Sequence, residues 1–311
     1  MEITMKKMVI TGVNGFIGRH AKEYFEKEYE ITGLDLAANY SGEREPDDTM
    51  TYYQCNMSQE SAEMAAIFTG VQPDVILHCA GSANVGASVV NPMADLDGNL
   101  HSLYQLLLAL KSFEKRPEFI FLSSAGVYGN PRQLPVRESD VAAPMSPYGL
   151  HKHMGEELCE YYNRIHGYHI RSIRIFSAYG NGLRKQLLWD IYQKYQNTGR
   201  IELFGTGEET RDFIHVSDIM RAIDLILSYD GPETVINVAN GEEVSIRELA
   251  EIYAEKLGAP QNIVSFNGAV KEGDPRNWRA DISLLRKLGY EKQMELSDGI
   301  AAYVDWAKAQ D

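Results

Sequence analysis

Cysteine is scarce in this chain: Cys55, Cys79 and Cys159 are the three in 311 residues, with no Cys-x-x-Cys pair among them. An odd, widely spaced set excludes a disulfide framework or a thiolate zinc site and leaves small buried side chains, as expected in the cytoplasm. Long apolar runs are missing as well. Nothing approaches the roughly 18 consecutive apolar residues of a membrane span, and the opening MEITMKKMVITG leads into a strand without the apolar region of a signal peptide. Positive charge is in deficit, since 30 Lys and Arg against 44 Asp and Glu give a net charge of −14. That field repels phosphate backbones, so neither nucleic acid nor a membrane is an expected partner. A nucleotide-sized anion remains possible, because main-chain N–H groups at a helix start and single arginines can hold it locally.

What the chain does have is alternation. Met8–Thr11, Ile31–Leu34, Thr51–Gln54, Val75–Cys79, Phe119–Ser123 and Ile170–Phe176 are short β-rich runs, mostly separated by helix-length segments. This predicts an α/β fold with a doubly wound parallel sheet. Leu96, Leu100, Leu103, Leu107 and Leu110 fall on one face of a helix predicted over Ala94–Leu110. After Gly180 the pattern loosens into shorter helices near 187–198, 214–229 and 245–257, read as a smaller C-terminal domain. The division expected is 1–176 and 177–311, with a strand-like stretch near 233–240 returning to the first sheet.

Three groups of residues carry chemistry. Gly12, Gly15 and Gly18 follow the first strand and open a helix, the arrangement that lets a backbone turn tightly and approach a pyrophosphate. With 26 glycines in the chain, such spacing arises by chance about 0.2 times, so the strand-to-helix context and Asp35 carry the argument. Asp35 ends the second strand, where a carboxylate accepts from ribose hydroxyls and repels a 2′-phosphate, favouring NAD over NADP. Tyr148 and Lys152 lie one turn apart on a helix begun by Ser146 and Pro147. An ammonium and the positive end of a helix both favour a phenolate, so Tyr148 reads as a general base. Ser123 and Ser124 close the fifth strand, where a hydroxyl can hold a substrate oxygen. His151 and His153 point in different directions on the same helix, so no metal site is expected.

In chain order, the glycine loop, Asp35, Ser124-Ala125-Gly126-Val127-Tyr128-Gly129, Pro147-Tyr148-Gly149-Leu150-His151-Lys152 and Arg211-Asp212-Phe213-Ile214-His215-Val216 resemble the extended short-chain dehydrogenase/reductase superfamily. The resemblance is in particular to its nucleotide-sugar epimerases. The resemblance implies a Rossmann domain with a small nucleotide-sugar domain, and a catalytic trio of Ser124, Tyr148 and Lys152. It further implies NAD contacts from Gly12, Gly15, Phe16, Ile17, Gly18, Asp35, Asn56, Met57, Ala80, Gly81, Asn99 and Ser123, besides Tyr148 and Lys152. Ser124, Ser177, Arg211 and Lys271 are implied to meet the substrate, and two copies to pair through the helices near Leu100 and Tyr148. Asn56, Ser177, Lys271 and Ala83 depart from the residues common at their positions. The activity implied is 4-epimerisation of a nucleotide sugar by reversible hydride transfer. The alternatives are reduction of a nucleotide-linked 4-keto-6-deoxy sugar and a non-catalytic NAD-binding redox sensor.

Overall fold

The computed structural model describes residues 5–39, 50–59, 62–111, 113, 115–260, 262–269, 273 and 275–310. Elements run in the order β1 (Lys6–Thr11), α1 (Phe16–Phe25), β2 (Tyr29–Asp35), β3 (Met50–Gln54), α2 (Ala62–Val71), β4 (Val75–His78), α3 (Val85–Val90), α4 (Pro92–Leu96), α5 (Ser102–Leu110), β5 (Glu118–Ser124), α6 (Pro147–His166) and β6 (Ile170–Ile175). They continue as β7 (Ser177–Tyr179), α7 (Gln186–Thr198), β8 (Ile201–Leu203), β9 (Thr210–Arg211), β10 (Phe213–His215), α8 (Val216–Leu227), β11 (Val235–Val238), β12 (Val244–Ser245), α9 (Ile246–Leu257), β13 (Val264–Phe266), α10 (Ser283–Lys287) and α11 (Leu296–Lys308).

The chain divides into two compact units, one of residues 1–127, 146–174 and 227–236, the other of 128–145, 175–226 and 237–311. Residues 128–145, which the sequence groups with the first domain, belong to the second unit. The main sheet has seven parallel strands in the order β11-β6-β5-β4-β1-β2-β3, with β11 at one edge. All four residues of β4 and all six of β6 are buried, as expected where both faces of a parallel sheet are covered; β6 nevertheless carries Arg171, Ser172 and Arg174 among its isoleucines. One core gathers Val9, Leu34, Ile76, Phe119 and Phe121 from strands with Leu103, Leu106, Leu107 and Leu110 from α5.

The helix expected over Ala94–Leu110 is present but is not uniformly α-helical. Asp97–His101 forms a π-helical turn between α4 and α5. One extra residue in that turn rotates the buried face, so Asp95 and Asn99 point inward while Leu96 and Leu100 are only half-buried. The helix expected from Ile214 also begins later, because Phe213–His215 pairs in parallel with Ser177–Tyr179 before α8 starts. In the second unit, the buried Asp212 carboxylate accepts N–H groups of Asn240 (2.9 Å), Gly241 (2.9 Å) and Ala280 (3.1 Å). Burial nevertheless pushes that carboxyl up to about 7, against the pull of these bonds.

Candidate active site

The strand order reverses between β1 and β4, and a parallel sheet binds ligands outside the carboxyl ends of strands at such a point. Gly12 leaves β1 with φ +67°, and a Cβ there would come within 2.7 Å of the Ala80 backbone. At Gly18 a Cβ would stand 2.2 Å from the Gly12 carbonyl oxygen, so only glycine lets α1 start this close to the strand. Gly15 is exposed at the N-cap of α1 and no side chain caps the helix. The N–H groups of the first turn therefore face outward, suited to a diphosphate. Asp35 stands beside the loop, accepting the Asn14 N–H at 2.9 Å. These residues fit a dinucleotide with an unphosphorylated adenosine ribose.

Ser146 caps α6 by accepting the Gly149 N–H at 3.2 Å, with Pro147 at the first helical position. Tyr148 is thereby placed in the first turn, and its main-chain N–H donates to Ser88 Oγ at 3.1 Å. Its hydroxyl is hydrogen-bonded with Ser124, whose Oγ accepts the Gly126 N–H at 3.1 Å. Lys152 is 5% exposed; its ammonium donates to the Leu122 carbonyl at 2.9 Å and lies 6.0 Å from the Tyr148 ring centroid. Serine, tyrosine and lysine thus come together at the end of β5 and the start of α6.

The electrostatics correct one expectation. Burial pushes the Tyr148 phenol up to about 12, the Ser124 hydroxyl eases that rise, and the Asp95 carboxylate adds to it. Burial also pushes Lys152 down to about 8, with Asp95 foremost among the groups opposing that fall. Desolvation outweighs the helix dipole here, and with the Lys152 ammonium engaged by Leu122 the phenolate is not the resting form. His78, stacked 6.0 Å from Phe121 and bonded through Nδ1 to Thr11 at 2.7 Å, is held neutral by burial, its pKa pushed down to about 3.

Other expected contacts are placed less uniformly. The buried Asn99 side chain donates to the Asp95 carboxylate (3.1 Å) and the Ser82 carbonyl (3.2 Å) in the π turn, and a Cβ on Gly81 would lie 2.4 Å from its Oδ1. Phe16, edge-on to His20 at 5.3 Å, and Ile17 are half-buried in the first turn of α1. Asn56 turns its Oδ1 to Ser58, accepting the N–H at 3.2 Å and the hydroxyl at 2.9 Å. Met57 packs into the core, and Ser123 is committed inward, its hydroxyl donating to Glu156 Oε1 at 2.5 Å. Neither side chain of that last pair is presented to a cofactor, so any contact would come from their main chains. In the second unit, Ser177 sits in β7, and the Arg211 guanidinium lies 5.3 Å from the Trp278 ring centroid and donates to the Thr210 carbonyl at 2.8 Å. Lys271 lies outside the described residues.

Sequence reasoning missed three residues. Glu156 receives Arg174 through Nε (2.9 Å) and Nη2 (2.7 Å), and all of this is buried. Its signal was a carboxylate one helical turn beyond Lys152. Asp95 and His151 form a second buried pair, Nδ1 to Oδ2 at 2.6 Å. Their signal was a polar residue four positions before Asn99, on what looked like the solvent side of a leucine stripe.

The profile of the NAD dependent epimerase/dehydratase family matches residues 8–239. A UDP-glucuronate 4-epimerase from Thermodesulfobacterium geofontis is 29% identical over 317 residues, spanning 96% of this chain and 95% of the relative. A GDP-6-deoxy-D-mannose reductase from Pseudomonas aeruginosa is 26% identical, spanning 97% of each. The structure of UDP-glucuronic acid 4-epimerase from Bacillus cereus, in complex with UDP-glucuronic acid and NAD, superposes with a TM-score of 0.89 at 26% identity, over 98% of this chain and all of that one.

Proposed function

The chain belongs to the NAD dependent epimerase/dehydratase family, and we propose that it inverts C4 of a nucleotide-linked hexose. The observation that carries this is the junction of Ser124, Tyr148 and Lys152 beside the β1/β4 reversal, with Asp35 at the glycine loop. NAD, when bound, supplies a hydride acceptor that can return what it took. The glycine loop, the open start of α1 and Asp35 would hold it. Tyr148 Oη takes the proton of the C4 hydroxyl and gives it back to that same oxygen once the ketone has turned over to offer its opposite face. Ser124 holds the same oxygen. Lys152, one turn along α6, provides the cation that makes a buried phenolate attainable. Arg211 and Ser177 are proposed contacts for the nucleotide diphosphate, and Lys271 keeps that role as a proposal only.

Two neighbouring activities differ in what they require. Elimination of water needs an acid beside the serine, and here Ser124 is followed by the fully buried Ala125 and by Gly126, neither able to donate a proton. The reductase reading, favoured by the similar Pseudomonas protein, consumes one reduced cofactor per turnover. With substrate deuterated at C4, drawn from UDP-glucose, UDP-glucuronic acid and UDP-N-acetylglucosamine, the label should return to C4 of the epimer without exchange. Added NADH should not fall in proportion to product. Stoichiometric NADH oxidation would make the protein a reductase.

Cofactor choice follows from Asp35. A 2′-phosphate placed by that carboxylate meets like-charge repulsion, so calorimetric titration should show NAD binding at least about tenfold tighter than NADP. Asp35→Ser should narrow the gap. Tighter NADP binding by the wild type contradicts the assignment.

The partner is proposed to be a second copy. Leu150, Met154, Tyr161 and Ile165 form an exposed apolar stripe along α6, and Tyr104 of α5 is exposed as well, a pattern a lone soluble helix rarely keeps. The three cysteines are all free, which supports a cytoplasmic setting.

A further inference from the structure

Asp95 and His151 are 3% and 7% exposed, and the chemistry above gives neither of them a role. They sit where the two active-site helical segments approach: Asp95 in α4, four residues before Asn99 in the π turn, and His151 in α6, next to Lys152 and three residues after Tyr148. One Asp95 oxygen meets His151 Nδ1 at 2.6 Å and the other accepts Asn99 Nδ2 at 3.1 Å. The second Asn99 N–H donates to the Ser82 carbonyl at 3.2 Å. A carboxylate and a carbonyl can only accept, so they fix which end of the carboxamide is nitrogen. Asn99 Oδ1 is then turned toward Gly81, buried and without a hydrogen-bond partner among the described residues. A buried carbonyl oxygen left unbonded is costly, and such groups are kept where function uses them. The π turn is the backbone counterpart, since it brings both Asp95 and Asn99 to the inside face.

We propose that Asp95 and His151 form a clasp that sets the orientation of the Asn99 carboxamide and couples it to the helix bearing Tyr148 and Lys152, so that both are positioning residues for cofactor binding and hydride transfer. The clasp rests on the epimerase reading only for the transfer step. The negative charge matters as well as the shape, because it lies among buried groups that include Lys152. Asp95→Asn is nearly isosteric but replaces an obligate acceptor by a group that both donates and accepts. Asn99 can then turn over. His151→Leu removes the donor that holds Asp95, whereas His151→Asn keeps a nitrogen near the position of Nδ1.

The test measures, on the full chain, the melting temperature, NAD affinity by calorimetry, and kcat and KM with whichever UDP-hexose the wild type turns over. Asp95→Asn and His151→Leu should lower kcat or NAD affinity about 10- to 100-fold, the range for residues that orient a functional group through hydrogen bonds. KM for the sugar nucleotide should stay within about twofold and melting within a few degrees, because sugar contacts and the core are untouched. His151→Asn should recover most of the loss. Wild-type kcat together with wild-type NAD affinity in Asp95→Asn overturns the clasp, as does a loss that tracks melting temperature in all three variants. If the wild type turns over no UDP-hexose, the epimerase reading fails by itself and NAD affinity alone decides the clasp.

Discussion

Tyr148→Phe should lower kcat by about 100- to 10,000-fold, the usual contribution of a general base, with the NAD dissociation constant nearly unchanged. The substitution removes one oxygen from a ring that stays buried, its edge about where a Cβ on Gly126 would touch it at 3.5 Å. What disappears is the proton acceptor and its hydrogen bond with Ser124. Steady-state rates and calorimetric titration on the same preparation separate the two effects. A variant keeping more than a tenth of the wild-type rate would remove Tyr148 from the mechanism. Loss of NAD affinity in parallel would assign it a binding role instead.

Glu156→Ala should cost about 3–5 kcal/mol of stability, read as a fall in the denaturant midpoint, because it removes the carboxylate bound twice by the buried Arg174 guanidinium. Arg174 is 5% exposed and both of its bonds to Glu156 are lost together. The Ser123 hydroxyl loses its acceptor as well. Glu156→Gln, which keeps the shape and one acceptor, should fall between the two. A change under about 1 kcal/mol in Glu156→Ala would mean that water or repacking rescues the arginine, contrary to the burial observed.

The parts of the site legible in the sequence are those whose cause is local. Gly12 and Gly18 are needed because one turn of chain must pass close to another a few residues away, and Ser146 and Pro147 place Tyr148 by capping alone. Asp35 follows from where a strand ends. The parts that were hidden depend on distant residues. Leucines at 96, 100, 103, 107 and 110 fit a regular helix, whereas the π turn sits beside Asp95, whose partner His151 lies far along the chain. Ser123 and Ser124 look equivalent as letters, yet alternation along β5 sends one hydroxyl to Glu156 and the other to Tyr148. Tyr148 itself was read with the right neighbours but without its burial, and burial reverses the sign of its shift.

The strand order of the main sheet also bears on how the protein is made. Chain emerging from a ribosome supplies β6 at Ile170–Ile175, but the neighbour on its outer side, β11, arrives only at Val235–Val238, after residues 176–234 have been synthesised. Until then β6, every residue of which is buried in the finished protein, is an unpaired strand edge of the kind that templates association with other chains. The first unit therefore cannot be completed as a nascent N-terminal domain, and a polypeptide ending near residue 176 should be a poor soluble fragment. Its safe passage falls to the speed of elongation and to whatever shields that edge meanwhile.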